Sequence, residues 1–191
     1  MPPSLNESHN IVIIGAGSAG LATSYFLTQQ NIDHVVLERG VVGNTWDAER
    51  WDGFYLVNPN WAVRLPGFHY AGTEPEGYLS KIETIDYLKN YAKHFGAPVR
   101  TGVDIESLGR DGDGYILTTR SGDVIEARCV VVATGAFGIP KTPEYSADLV
   151  DSVTQIHSAE YKNPQSLAEG GVLVVGSGQS GAQITEELLN A

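Results

Sequence analysis

Apolar positions along the chain fall into two kinds of pattern, and their alternation predicts an α/β fold. Short continuous runs rich in β-branched residues occupy 11–14, 35–37, 129–133 and 171–175, and read as strands buried on both faces. Between them lie stretches with helical spacing. Leu21, Ala22, Tyr25 and Phe26 give 21–30 one apolar face. Ile82, Ile85, Tyr87, Leu88, Tyr91, Ala92 and Phe95 predict an amphipathic helix over 81–95, stopped by Gly96-Ala97-Pro98. Residues 99–102 read as a third parallel strand. Segments 103–109, 114–120 and 123–128 read as a three-stranded meander, with turns at 111–114 and at Ser121-Gly122.

Two of the apolar runs end in the same glycine pattern. Residues 11–14 enter Gly15-Ala16-Gly17-Ser18-Ala19-Gly20, and residues 171–175 enter Gly176-Ser177-Gly178-Gln179-Ser180-Gly181; a helical pattern follows each. In the first unit the next strand ends at Glu38, 18 residues beyond Gly20. The physical roles are separable. The first Gly permits the tight turn, the second lets the backbone approach a pyrophosphate, and the third lets helix and strand pack closely. The helix N-terminus offers free N–H groups and a positive dipole end to the phosphates. Glu38 is placed to accept hydrogen bonds from ribose hydroxyls. One G-x-G-x-x-G is weak, since a plain Gly-rich loop satisfies it. Strand, turn, helix, strand and acid in register, with the turn repeated later, are far more specific. Ser177, Gln179 and Ser180 add possible side-chain donors at the second turn.

The first fingerprint does not separate FAD from NAD(P), because both present an ADP moiety. The segment after Glu38 does more. Arg39-Gly40 and Gly43-Asn44-Thr45-Trp46 form a glycine-punctuated loop, and residues 41–66 continue without a clean period while carrying Trp46, Trp51, Phe54, Tyr55 and Trp61. Long aromatic-rich irregular segments line ligands, and a flat isoalloxazine needs such walls. The alternative is an aromatic mini-core beneath a long loop.

Composition narrows the classes. The chain has 191 residues with 12 Lys and Arg against 23 Asp and Glu, a net charge of −11, which argues against nucleic acid and anionic membrane as partners. Glycine is frequent, at 22 residues, and six of these sit in the two turns. The single cysteine, Cys129, excludes a disulfide framework, a Cys-based zinc site and a C-x-x-C centre within this chain, and reads as a small core residue. No metal is expected. No stretch approaches the ~18 apolar residues that span a bilayer, and the N-terminal residues lack a signal-peptide pattern. The expectation is a cytoplasmic protein.

The order of glycine fingerprint, Glu38-Arg39, Gly43-x-x-Trp46, helix, meander and Ala133-Thr134-Gly135 resembles the two-dinucleotide-domain flavoproteins. More narrowly, it is similar to the class B flavin-dependent monooxygenases, including flavin-containing monooxygenases and bacterial relatives; the segment 52–59 followed by Leu65-Pro66-Gly67 carries the bacterial likeness. The resemblance implies a Rossmann-like FAD/NAD(P)-binding fold in three layers, a parallel sheet plus β-meander, with the start of a second Rossmann-like domain for NAD(P). It implies FAD-binding positions at Gly15, Ala16, Gly17, Ser18, Ala19, Gly20, Glu38, Arg39, Asn44, Thr45 and Trp46. It adds Asn58 near the flavin, Val103 against the adenine through its backbone, and Ala133, Thr134 and Gly135 closing over the FAD. Gly176, Ser177, Gly178, Gln179, Ser180 and Gly181 become the NADPH (or NADH) turn. The implied chemistry is hydride transfer from NAD(P)H to FAD, then O2 activation as a C4a-(hydro)peroxyflavin and oxygenation of a small organic substrate. No catalytic side chain is assigned.

The linker carries His157 and Tyr161, which match the second half of the monooxygenase signature F-x-G-x-x-x-H-x-x-x-(W/Y/F). Asp151 and Val153 stand where Phe and Gly belong, so the first half fails. His157 is expected to be a linker residue. The domain division expected is 1–149 for FAD and 150–191 for a linker and the beginning of the NAD(P)H domain, the N-terminal portion of a longer flavoenzyme. An NAD(P)H-dependent FAD reductase on the same scaffold and a non-catalytic nucleotide-binding fragment are the alternatives. Oligomeric state is open.

Overall fold

Val12 and Ile13 are neighbours in the chain and belong to different cores. The computed structural model describes residues 6–136 and 138–191. The chain runs β1 (Asn6–Ile14), α1 (Ser18–Gln29), β2 (Val35–Glu38), α2 (Asn44–Ala48), the hairpin β3 (Arg64–Leu65) and β4 (Phe68–His69), α3 (Lys81–His94) and β5 (Val99–Thr101). Then come β6 (Ile105–Asp111), β7 (Gly114–Thr119), β8 (Val124–Val132) and, after a long non-repetitive stretch, α4 (Gln179–Leu189). One six-stranded sheet has the order β5-β2-β1-β8-β7-β6. Strands β5, β2, β1 and β8 are parallel to their neighbours, and β8-β7-β6 is the antiparallel meander.

Period-2 alternation explains the two cores. On one face, Ile13 and Val36 pack with Leu21 of α1 and with Leu88 and Tyr91 of α3. On the other, Val12, Val35 and Leu37 pack with Leu117 of β7 and Ile125 of β8. All four residues of β2 are buried, as a parallel strand covered on both sides requires. Helix α3 starts with a capping box: the Ser80 hydroxyl accepts from the Glu83 N–H, and the Glu83 carboxylate accepts from the Ser80 N–H at 2.9 Å. The Ser80 hydroxyl, donating to the Glu83 carboxylate at 2.7 Å, and then the Ser80 N–H hold the Glu83 carboxyl below its ordinary range. The helix ends before Gly96, whose φ of +68° is the left-handed value glycine tolerates. A buried Ser24–His34 contact at 2.8 Å ties α1 to the start of β2. His34 Nδ1 faces the Ile32 carbonyl at 2.8 Å, which in the neutral ring places the proton on Nδ1 and leaves Nε2 to accept from Ser24.

Five expectations need correction. The strands expected at 123–128 and 129–133 are one continuous strand, β8, whose first half closes the meander while its whole length runs parallel to β1. Cys129, expected in the core, is exposed. Residues 172–175 form no strand, and Val172, Leu173 and Val175 are exposed; no strand among the described residues pairs with them, and an apolar run without a ladder partner has nothing to bury it. Within 41–66, Trp51 and Phe54 do not face a ligand space. They are buried with Tyr161 and with Ile184 of α4 in a third cluster, whereas Tyr55 and Trp61 are exposed. Ile82, counted on the apolar stripe of α3, is also exposed.

Tyr91 supplies a test of the first core. Its side chain is fully buried and its hydroxyl has no hydrogen-bond partner. Burial, then the neighbouring Tyr25 and Tyr87, push it up from 10.0 to about 12. The unfolded chain therefore loses this proton first as pH rises, so the contribution of this group to stability is fully present below pH 10 and is lost progressively toward pH 12. Tyr91→Phe should leave stability at pH 7 unchanged or raise it by up to about 1 kcal/mol, since it deletes an unsatisfied group. It should also shrink the alkaline loss seen in denaturant titrations. A marked destabilisation at pH 7 would show that the hydroxyl has a partner.

Candidate functional site

A backbone hydrogen bond anchors the start of the first glycine turn. The Gly15 N–H donates to the Leu37 carbonyl at 2.7 Å, and Gly15 has φ +106°. A Cβ at Gly15 would meet the Ala133 carbonyl oxygen at 2.5 Å; a Cβ at Gly20 would lie 1.9 Å from the Gly15 carbonyl oxygen. Gly17 differs: it is the N-cap of α1, and a Cβ there would meet nothing within 4 Å. The N-terminus of α1 has no side-chain cap and no acidic residue in its first turn. Its free N–H groups thus look onto open space, the arrangement that takes an anion.

Glu38 is buried and both its oxygens are engaged. Oε2 accepts from the Ala16 N–H at 2.8 Å and Oε1 from the Gly40 N–H at 3.0 Å. A carboxylate has about four lone-pair positions, so acceptor capacity is left for hydroxyl groups. The Glu38 carbonyl accepts from the Val103 N–H at 2.9 Å. That N–H is used, so any backbone contact from Val103 to a nucleobase runs through its carbonyl. The Ala133 N–H donates to the Ile14 carbonyl at 2.8 Å, which brings Ala133, Thr134 and Gly135 to the first turn although they lie more than a hundred residues away in sequence. Gly135 has φ +85°, and Thr134 and Gly135 are exposed. Ser18 and Ala19 begin α1 at the rim of the turn.

The remaining candidates of the first unit are less tightly gathered. Arg39 points to the surface and pairs with Glu49 at 2.6 Å. Asn44 packs against Gly40, where a Cβ would fall 2.0 Å from Asn44 Oδ1. Thr45 and Trp46 are half-buried in α2, and the Arg50 guanidinium lies 5.3 Å from the centre of the Trp46 ring. The Gly43 N–H donates to the Ala16 carbonyl at 3.3 Å, which ties this loop to the first turn. Asn58 is exposed in its loop. Its neighbour Asn60 is the buried one, donating from Nδ2 to the Glu74 carbonyl at 2.9 Å.

The second turn repeats the local glycine geometry of the first, although no strand leads into it and a Cβ at Gly176, unlike one at Gly15, would meet nothing within 4 Å. Gly176 has φ +114°, and a Cβ at Gly181 would lie 2.1 Å from the Gly176 carbonyl oxygen. Gly178 is the N-cap of α4 with φ −76° and ψ −179°, against −85° and −172° at Gly17. It too has nothing within 4 Å of an added Cβ. The Leu21 N–H to Gly17 carbonyl bond and the Ala182 N–H to Gly178 carbonyl bond are both 3.0 Å. Ser177, Gln179 and Ser180 are exposed around it. Helix α4 starts at Gln179, earlier than its apolar pattern shows, because the turn glycines hand directly into the helix.

In the linker, His157 Nδ1 accepts from the Ala159 N–H at 3.1 Å, and its carbonyl accepts from the Glu160 N–H at 2.8 Å. It shapes a turn. Tyr161 is buried and donates from its hydroxyl to Glu187 of α4 at 2.8 Å; burial, then the adjacent carboxylate, push its pKa up. Asp52 is held below its ordinary value, first by the hydrogen bond from Asn163 and then by Lys81 and Lys162. The polar residues of α4 that make these contacts look in sequence like an ordinary solvated face, so no pattern singled them out. Among the described residues no group of three or more His, Cys, Asp or Glu could hold a metal ion, and no helix is long and apolar enough to cross a membrane.

Comparison with known proteins follows this geometry. Over 180 residues the chain is 41% identical to an uncharacterized CzcO-like oxidoreductase of Geobacillus kaustophilus, covering 94% of this chain and 51% of that protein. It is 32% identical to the probable indole-3-pyruvate monooxygenase YUCCA1 of Arabidopsis thaliana, covering 95% of this chain and 44% of the relative. The solved flavin-containing monooxygenase from Stenotrophomonas maltophilia shares 29% identity with a TM-score of 0.85, over 96% of this chain and 56% of that one. The chain thus spans about half the length of the relatives it matches. The fold is the α/β Rossmann-type fold of FAD/NAD(P)-binding flavoenzymes. With residues 12–191 matched from the first β-strand through the second glycine turn, the chain belongs to the pyridine nucleotide-disulphide oxidoreductase family.

Proposed function

We propose that this chain provides the FAD cradle and the first part of the NAD(P)H-binding unit of a flavin-dependent monooxygenase. The observation that carries the reading is the geometric duplication: two uncapped helix N-termini, each preceded by a Gly whose Cβ position opens on free space. Only the first is backed by a buried strand-end acid, Glu38. The names of the Stenotrophomonas and Arabidopsis relatives support the monooxygenase class. In this reading residues 1–149 form the FAD unit and 150–191 a linker and the beginning of the NAD(P)H unit; the lone thiol is consistent with a reducing cytoplasm.

The residues fit a dinucleotide. At the first turn the N–H groups following Gly17 would bind the FAD pyrophosphate, while Glu38 would accept from the ribose hydroxyls with the capacity Ala16 and Gly40 leave free. Ala133, Thr134 and Gly135 would lie over the same dinucleotide, since Ala133 is seated on Gly15. Arg39, Asn44, Thr45, Trp46 and Asn58 would reach toward it from the loop, and the Val103 carbonyl toward the adenine. Gly176 through Gly181, with Ser177, Gln179 and Ser180 as added donors, would hold the pyrophosphate of NADPH or NADH. With both bound, FAD supplies a hydride acceptor and, once reduced, a group that reacts with O2 to oxygenate a small organic substrate.

Glycine substitutions separate packing from binding. Gly20→Ala drives a methyl into the Gly15 carbonyl and should cost about 1–3 kcal/mol of stability. Gly17→Ala has room and an ordinary φ, so its melting temperature should match wild type while FAD affinity, read by flavin fluorescence, falls by about tenfold or more. Unchanged FAD affinity in Gly17→Ala would contradict the cradle. For the reaction class, NADPH oxidation should be matched by oxygenated product from a soft nucleophile or ketone. Stoichiometric H2O2 with no oxygenated product would replace the monooxygenase reading with a reductase.

A further inference from the structure

Helix α4 carries the second glycine turn at its N-terminus, and the rest of the helix is fastened to the first unit. Gln183 makes a two-point clamp on one backbone position: its Nε2 donates to the Tyr55 carbonyl at 3.0 Å, and its Oε1 accepts from the Tyr55 N–H at 3.3 Å. One turn further on, Glu187 uses its two oxygens on two different residues. Oε1 accepts from the Gly53 N–H at 3.2 Å and Oε2 from the Tyr161 hydroxyl at 2.8 Å. Between them Ile184 is buried against Trp51, Phe54 and Tyr161. A Cβ at Gly53 would stand 2.6 Å from Glu187 Oε1, so the carboxylate comes this close to the backbone where no side chain stands in its way. The partner segment is held from its other side as well, by the Asp52 N–H to Lys162 carbonyl bond at 2.7 Å and by Asn163 on the Asp52 carboxylate at 2.7 Å.

From these contacts we propose that Gln183 and Glu187 are positioning residues that set the placement of the second nucleotide cradle against the first. An α-helix is stiff over this length, at about 1.5 Å per residue. Fixing residues 183 and 187 therefore fixes the N–H groups at Gly178 to Ser180 to within the play of four hydrogen bonds. Three of the four bonds end on backbone of the first unit, and the fourth ends on the Tyr161 side chain of the linker. What the fixed placement serves rests on the reading above: a hydride donor held at one cradle must meet an acceptor held at the other, and a misplacement of about 1 Å costs about a hundredfold in rate.

The placement can be measured directly. Cys129 is the chain's single cysteine and is exposed on β8 of the first unit; Glu186 is exposed on α4. With nitroxide labels on Cys129 and on Glu186→Cys, pulsed electron–electron double resonance should give one narrow distance distribution in this parent. Adding Gln183→Ala and Glu187→Ala together should broaden it. Adding Glu187→Gln, which keeps an oxygen for the Gly53 N–H, should leave it narrow. Should the doubly truncated protein fail to fold, Gln183→Glu decides, since it sets a carboxylate against the Tyr55 carbonyl and should broaden the distribution by itself. A distribution as narrow as the parent's in the folded double variant, or in Gln183→Glu, would overturn the proposal. On FAD-loaded protein the double truncation and Gln183→Glu should keep flavin affinity while the rate of flavin reduction at saturating NADPH falls by about tenfold or more, and Glu187→Gln should keep the parent's rate. A parent that takes up no FAD would sink the functional reading and leave the distance result standing.

Discussion

The carbonyl oxygen of Gly15 occupies the position where a side chain on residue 20 would have to begin, at 1.9 Å, and the Gly176 carbonyl does the same to residue 181 at 2.1 Å. This exclusion organises both ends of the molecule. With hydrogen at that position, the first turn of each helix lies against the turn that precedes it. The helix then leaves with its N–H groups directed past Gly17 or Gly178 into open space. The proposed anion site is thus a by-product of a packing constraint. The other elements around the first turn confirm the order of dependence, because Ala133 rests on Gly15, Gly43 bonds to Ala16, and Glu38 bonds to Ala16 and Gly40. Remove the close approach and these partners lose their common reference.

Glu38 has a double role that its position in the sequence does not reveal. As a strand-end acid it looks like a ligand-binding group waiting for a ribose. In the fold it is buried and already accepts from two backbone N–H groups of two different loops. Buried carboxylates need such donors to offset desolvation. The arrangement also means that the acid is pre-oriented, which lowers the ordering cost of any hydroxyl it binds.

What was legible in the sequence was whatever depends on neighbours within a few residues. Continuous runs became the strands at Val12–Ile13 and Val35–Leu37, helical spacing with the Gly96-Ala97-Pro98 stop became α3, and both glycine turns formed where the pattern stood. What failed depended on distant partners. Val172, Leu173 and Val175 have a strand's composition but no ladder to join, and pairing is a property of two segments. Cys129 sits in an apolar run, yet its burial depends on what covers β8 there. In 41–66 no period tells inward from outward, so Trp51 and Phe54 could not be told from Tyr55 and Trp61. Gln183 and Glu187 are polar residues on a helix, and only the fold turns that face toward Gly53, Tyr55 and Tyr161.

The claim on which the rest stands is that each turn is a separate phosphate cradle with its own nucleotide. Backbone amide chemical shifts followed by NMR during separate titrations with FAD and with NADP+ test it most directly. The account predicts that FAD displaces the amides of Ala16 to Ala19 and leaves those of Ser177 to Ser180 in place, with NADP+ doing the reverse. Both nucleotides moving the same set of amides, or neither moving any, would contradict it.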